Sequence, residues 1–275
     1  MKDANMTKVV FFGNEKLTTG AYNPQPLIRN SLQEAGFQIE AVITGQVGDT
    51  RHQASLAVLA SHGKILPQAV LDQFPLGVIN IHPSLLPIYR GPTPIEQAIL
   101  DGAAETGVSI MKLTAGMDSG PLYAQESIKL TGHEEKAELA VKLQGIGAKL
   151  LLEVLPGIAS GSTKPKEQDS STAPSYTKLI QKSDGVIDWR KPAEQLEREI
   201  RAYLGWPGSK AELFKKDITI TSAEATKVKI LPGLVKINDG KLIVGCGKDS
   251  LLINRLKPAG KKEMTASEFT RGLRL

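Results

Sequence analysis

The chain has a single cysteine, Cys246, which excludes an internal disulfide and any cysteine-based zinc cluster. Its four histidines, His52, His62, His82 and His133, lack the spacing with carboxylates that metal ligation requires. No apolar run approaches the roughly 18 residues a membrane span needs. The opening stretch, MKDANMTKVV, has neither an apolar signal core nor an Arg/Ser-rich transit pattern. No Gly-x-Gly-x-x-Gly and no Gly-Lys-Ser/Thr phosphate loop follows a strand; the first strand runs instead into Gly13-Asn14-Glu15-Lys16. These absences point to a cytoplasmic, metal-free protein with no membrane partner.

What is present fits a soluble two-domain chain: 275 residues, 41% hydrophobic and 23% charged. Charge is unevenly shared. Residues 1–180 carry 15 basic and 17 acidic side chains, whereas residues 181–275 carry 19 and 12. A basic second half suits a polyanionic partner, nucleic acid being the usual one, and equally suits a plain lysine-rich surface.

Lys8–Phe12, Ile39–Ile43, Leu56–Leu59 and Gly77–His82 are short, unalternating apolar runs, the pattern of strands buried on both faces. Helical stretches are expected at 27–35, stopped by Gly36, and at 67–74, with Pro67 in the first turn. Strands alternating with helices imply an α/β, Rossmann-like, mostly parallel sheet. Thr131-x-x-Glu134 is a capping-box pattern opening a helix whose face holds Ala140, Leu143, Gly147, Leu150, Leu151 and Val154 and which Pro156-Gly157 ends. The polar, Pro- and Gly-containing stretch from Ser160 to Ser175 reads as a linker. Beyond it, Pro192–Leu204 is a helix with Leu196, Ile200 and Tyr203 inward. Short strands are then expected at 217–221, 228–230, 234–237, 241–244 and 250–253, with Asn238-Asp239-Gly240 as a hairpin turn. A small β-barrel is the economical reading of this tail. The expected division is 1–159, a linker at 160–178, and a basic barrel at 179–275.

Ligands bind beyond the carboxyl ends of strands in such sheets. Asn80 and His82 are two residues apart on one such strand and so share a face. An imidazole can relay a proton near neutrality, and an amide NH₂ can stabilise an oxyanion. Asp118, in the Gly-bounded loop Gly116-Met117-Asp118-Ser119-Gly120, is suited to orient that imidazole. No nucleophile accompanies the trio, so direct acyl transfer between two bound substrates fits better than a covalent acyl-enzyme. Taken singly, each residue also has a structural explanation: a strand-end histidine, a loop-bonding amide, a turn-forming aspartate.

Asn80-Ile81-His82, Ser84-Leu85-Leu86-Pro87, Arg90-Gly91 and the Gly116–Gly120 loop together resemble the methionyl-tRNA formyltransferase family. The likeness continues through Glu105–Met111, Ile187-Asp188-Trp189, Trp206-Pro207, Pro232-Gly233 and Leu256–Met264, nearly the whole chain. It implies a formyltransferase-fold domain followed by an OB-like barrel. It also implies Asn80, His82 and Asp118 as catalytic residues, and Ser84, Leu85, Leu86 and Pro87 lining a 10-formyltetrahydrofolate pocket. The implied reaction is formyl transfer to the α-amine of methionyl initiator tRNA, by a monomer. Sugar-nucleotide formyltransferases and formyl-tetrahydrofolate hydrolases share the trio, so the acceptor is argued from the basic tail, where Arg255, Lys257, Lys261 and Lys262 are expected to meet tRNA. A non-enzymatic RNA-binding protein is the remaining alternative.

One departure from the resemblance stands out. The family has a basic loop, a helix and a further strand after the second strand, where this chain has only Thr44–Gln53, with Arg51 the one basic residue. Three readings follow, in order: a minimal active enzyme, a related enzyme with another acceptor, and an impaired deletion variant. His62 stands where the family commonly has an aromatic residue, either flanking the folate pocket or as a substitution without catalytic role.

Overall fold

A computed structural model of the chain describes residues 7–13, 25–44 and 51–273. These divide into two compact units. The first comprises the described residues up to 95, with 104–130 and 137–178. The second comprises 96–103, 131–136 and 179–273.

The first unit is built on a six-stranded sheet. Its strands are β1 (Lys8–Phe12), β2 (Gln38–Ile43), β3 (Leu56–Leu59), β4 (Gly77–His82), β5 (Glu105–Lys112) and β6 (Leu122–Lys129), in the order β2-β1-β3-β4-β5-β6. β2, β1, β3 and β4 are parallel, and β5 and β6 each run antiparallel to the preceding strand. Val9–Phe12 of β1 and all four residues of β3 are apolar and buried because both faces of the sheet are covered. Val10, Phe12, Ala57, Leu59 and Val78 share one face with Val70, Leu71 and Phe74. On the edge, β6 alternates between half-buried and exposed residues.

Helix α1 spans Gln25–Glu34, and α2 only Gln68–Leu71. Pro67 is the N-cap of α2 rather than a first-turn residue, and the expected continuation to Phe74 is made by turns. Helix α3 (Pro94–Asp101), which periodicity missed, precedes β5; α4 covers Lys136–Ala159. The expected start of α4 at Thr131 is corrected. Glu134 accepts from the Thr131 amide and hydroxyl, but in a turn ahead of the helix. Pro156 does not end α4, since its lost donor falls in the last turn, which the Ser160 amide closes on the Pro156 carbonyl.

The connection from β2 to β3 crosses β1, and residues 45–50 of it lie outside the described residues, as do Asn14–Lys16 after β1. The returning leg is pinned by Glu40, whose carboxylate accepts from the amides of Gln53 and Ala54, both at 2.8 Å. His52 stacks on Phe74 on the same leg.

The second unit carries an antiparallel sheet: β7 (Ser209–Leu213), β8 (Lys216–Thr226), β9 (Val235–Asn238), β10 (Lys241–Gly245), β11 (Ser250–Pro258) and β12 (Met264–Thr265). Its order is β7-β8-β11-β10-β9, with β12 on β11. Asp239 and Gly240 both take positive φ, the two-residue hairpin turn that the sequence signals. The expected strand at 228–230 does not form. That segment and Leu231 cross the backbone of Gly245 instead, and Pro232 has no amide to give a ladder. Helix α5 (Ala193–Ala202) places Leu196 and Ile200 in the core with Leu242, Leu251 and Leu256, and α6 (Ala266–Arg271) adds Phe269. Cys246 is in this core, and burial pushes its thiol up to about 11, so it is chemically quiet at neutral pH.

Gly107 of β5 leaves room for Leu85, whose side chain would meet an added Cβ at 2.6 Å. Gly107→Val is expected to cost about 1–3 kcal/mol through overpacking, read as a lower urea midpoint at unchanged m-value.

Candidate active site

Strand β4 leaves the sheet at its carboxyl edge with Val78, Asn80 and His82 on one face and Ile79 and Ile81 on the other. The second face is filled by α4, whose Gly147 lies against Ile81. The first, past Val78, carries the polar pair. Asn80 and His82 are both buried. The amide NH₂ of Asn80 donates to nothing among the described residues. On the neighbouring strand, Ser109 stands opposite His82, and Gln125 stands opposite Ser109. These two hold the loop after β4. Ser109 donates to the Ser84 carbonyl (2.6 Å) and accepts from the Leu86 amide (3.1 Å), and Gln125 donates to the Leu86 carbonyl (2.9 Å).

The loop then returns to the histidine. Tyr89 adopts φ +60°, a strained conformation for a large side chain, and its carbonyl accepts from His82 Nε2 at 2.9 Å. A carbonyl can only accept, so the neutral ring carries its proton on Nε2 and presents the Nδ1 lone pair elsewhere. Nδ1 faces Asp118 Oδ2 at 3.7 Å. Asp118 itself sits at φ +42°, and its Oδ2 accepts from the Gly91 amide at 2.8 Å. Burial holds the His82 pKa below its ordinary value of 6.5, opposed by the Asp118 charge and the bond to Tyr89. The imidazole is therefore a neutral base at physiological pH with a carboxylate ready to stabilise its protonated form.

Glycine makes this approach possible. A Cβ at Gly120 would collide with the Lys112 carbonyl, and one at Gly91, at φ +108°, would lie 2.8 Å from Thr177 Oγ1. The Gly-bounded loop is thus pressed onto β5, and the Arg90-Gly91 turn onto the chain near Thr177.

His82 and Asp118 meet at 3.7 Å, and Asn80 shares the β4 face with His82 as their two-residue spacing implies. The next four residues are placed differently from one another. Ser84 is fully buried and its hydroxyl donates to the Ile88 carbonyl at 2.6 Å, so it shapes the loop. Leu86 and Pro87 are buried, and Leu85 is half-buried over Gly107. His62 is buried beside Phe12; its Nδ1 bonds the Gly13 carbonyl and its Nε2 has no partner among the described residues. The polar stretch after α4 also reaches the first unit's loops, which composition did not suggest. Lys166 bridges to Leu122, and Ser175 accepts from the Tyr89 amide through its hydroxyl (2.8 Å) and from the Arg90 amide through its carbonyl (2.9 Å). Among the described residues, no cluster of His, Cys, Asp and Glu could hold a metal ion, and no helix is long and apolar enough to cross a membrane.

In the second unit Lys257, Lys261 and Lys262 are exposed on β11 and the turn that leads to β12. Arg255 is exposed too, but paired with Glu263 at 2.9 Å. A cavity of about 460 Å³ lies beside Lys261, lined also by Lys216, Met264 and Phe269.

Among known proteins, residues 13–155 match the family described as formyl transferase and residues 179–274 the one described as formyl transferase, C-terminal domain. The chain is 41% identical over 223 residues to a methionyl-tRNA formyltransferase of Roseiflexus castenholzii, covering 80% of this chain and 71% of that protein. It is 39% identical over 256 residues to one from Dehalococcoides mccartyi, covering 92% and 77%. HypX from Aquifex aeolicus, solved in complex with tetrahydrofolic acid, shares the fold with a TM-score of 0.71 at 17% identity, covering 98% of this chain and 48% of that one.

An NMR titration of the free protein is expected to give His82 a pKa below 6.5, and Asp118→Asn to lower it further by removing the charge that favours imidazolium. A parental value above 6.5 would contradict the dominance of burial.

Proposed function

The chain belongs to the formyl transferase family, and from that membership we propose that it is a methionyl-tRNA formyltransferase, moving the formyl group of 10-formyltetrahydrofolate to the α-amine of methionyl initiator tRNA. The observation that carries the chemistry is the buried His82 with Nε2 committed to Tyr89 and Nδ1 turned to Asp118. The cytoplasm is its place of action, and one copy of the chain is enough for the reaction.

As the neutral amine attacks the formyl carbon, negative charge builds on the formyl oxygen. Asn80, whose NH₂ is uncommitted, donates to that oxygen; one such donor is worth about 3 kcal/mol. The amine's surplus proton passes to His82 Nδ1, and the imidazolium is stabilised by Asp118. The bond from carbon to N10 of the folate breaks as the proton returns to that nitrogen. Nothing is left covalently on the enzyme. Holding the two substrates in register supplies a further ~7–11 kcal/mol at most. Ser84–Pro87, stiffened by Ser109 and Gln125, form one wall of the folate pocket, Ser84 through the loop it shapes rather than through its hydroxyl.

The acceptor assignment rests on the second unit. Lys257, Lys261 and Lys262 contact the tRNA backbone, whereas Arg255 acts only if Glu263 releases it. The short connection between β2 and β3 favours one competing reading, a sugar-nucleotide amine as acceptor. Single-turnover transfer of labelled formyl, offered to initiator and elongator methionyl-tRNA separately and then to an amino-sugar nucleotide, distinguishes them. Preference for the initiator is expected. Transfer to the sugar alone would overturn the assignment.

His82→Ala is expected to lose transfer by about 10²–10⁴-fold while folate binding is retained; unchanged turnover would remove His82 from the mechanism. Lys261→Ala with Lys262→Ala is expected to weaken tRNA binding and flatten the slope of log K against log salt by about 0.9 for each phosphate that is no longer neutralised. An unaltered slope would exclude both lysines from the interface.

A further inference from the structure

Two loops hold the reacting pair, and one side chain from the polar stretch after α4 joins them. Gln168 Nε2 donates to the main-chain carbonyls of Asp118 (2.7 Å) and Gly120 (2.8 Å). Its Oε1 accepts from Arg90 Nη2 (2.6 Å) and Nε (3.3 Å). Every polar atom of this carboxamide is thus engaged. Arg90 is fixed from its other side by Tyr176, whose hydroxyl accepts from Nη1 at 3.2 Å and whose ring lies beneath the guanidinium.

The bonds close a circuit. Tyr89, just before Arg90, holds His82 Nε2; Gly91, just after it, holds Asp118 Oδ2. The Arg90 side chain runs to Gln168, and Gln168 returns to the Asp118 backbone. Removing Gln168 would leave Asp118 at a positive φ with its carbonyl unpaired and only the Gly91 amide to fix its carboxylate.

We infer that Gln168 is a positioning residue: by clamping the Asp118 loop to the Tyr89–Gly91 turn, it sets the separation between Asp118 and His82. The inference rests on the reading of those two as the reacting pair. It also explains why an amide is needed at 168. Glutamate could still accept from Arg90 but would set a second lone pair against two carbonyls, and lysine could donate but would face Arg90 with like charge. Asp118 is the charged group that bears on His82 among the described residues.

The test compares the parent with Gln168→Met, neutral and of similar length, in single-turnover formylation and in NMR titration of His82 without substrates. Gln168→Met is expected to lower kcat about 10- to 100-fold, the scale of an ångström-level misplacement, with KM for folate and tRNA within about twofold. Its His82 pKa is expected below the parent's, because the carboxylate that raises it has moved away. Unchanged kcat and an unchanged or raised His82 pKa in a folded variant would overturn the inference. Should Gln168→Met fail to fold, Gln168→Glu keeps the tie to Arg90 and carries the same kcat-against-KM comparison, a loss confined to kcat being the supporting result and an intact kcat the overturning one. The titration needs no substrate, so a parent that fails to formylate tRNA counts against the proposed function while the NMR comparison still decides the role of Gln168.

Discussion

The hydrogen bond from His82 Nε2 to the Tyr89 carbonyl determines what the rest of the site can do. It consumes the one ring proton of the neutral imidazole, so basicity resides at Nδ1 and faces Asp118. Burial keeps the ring neutral, and Asp118 keeps protonation from becoming prohibitive. Neither effect alone would serve: a histidine more deeply disfavoured as a cation could not take a proton, and one fully paired with a carboxylate would already hold it. Tyr89 supplies that carbonyl from a backbone conformation its side chain disfavours, and the surrounding contacts have to hold it there.

Much of the first unit can be understood as the support for that bond. β5 and β6 present Ser109 and Gln125 in register with His82, stiffening the loop that leads to Tyr89. The stretch after α4 then straps the far side of the same loop through Ser175, Thr177 and Gln168. Side chains seated on β5, β6 and the stretch after α4 thus preorganise the loops that hold His82 and Asp118. The second unit has a different economy. Its core is closed by α5 and α6, and its charge is left in water, with the lysines around the β11–β12 turn exposed beside an Arg255 already tied to Glu263. Such a surface suits backbone contacts to a polyanion, which give affinity and salt dependence rather than base selectivity.

The parts of the fold that were legible in advance are those governed by local periodicity. β1 and β3 are marked by runs of apolar residues, and β4 by the apolar residues that alternate with Asn80 and His82; α5 has a clear apolar stripe, and Asp239-Gly240 has turn chemistry of its own. Other elements were missed: β5 and β6, the antiparallel strands that complete the first sheet; β7, edge strand of its sheet, and the two-residue β12; α3, short and half-buried; and α6, only six residues. At 228–230 the β-branched residues read as a strand, but Pro232 and the close passage over Gly245 dictate an irregular crossing. The capping box at Thr131 formed its side-chain contacts a few residues before the helix they were expected to open.

The chain's amino-acid order alone determined which residues share a face. A period of two puts Asn80 and His82 on the same side of β4, and paired glycines allow Asp118's loop to lie flat on β5. It also determined the basic balance of the second half. Only the tertiary structure decided which nitrogen of His82 carries the proton, that the Ser84 hydroxyl donates to its own loop, and that a polar stretch with the composition of a linker bonds the loops around Asp118 and Arg90. The contacts of that stretch with the site loops join residues separated by 48 to 86 positions. No local propensity encodes them, because a hydrogen bond between distant segments exists only once the sheet has brought both to the same edge.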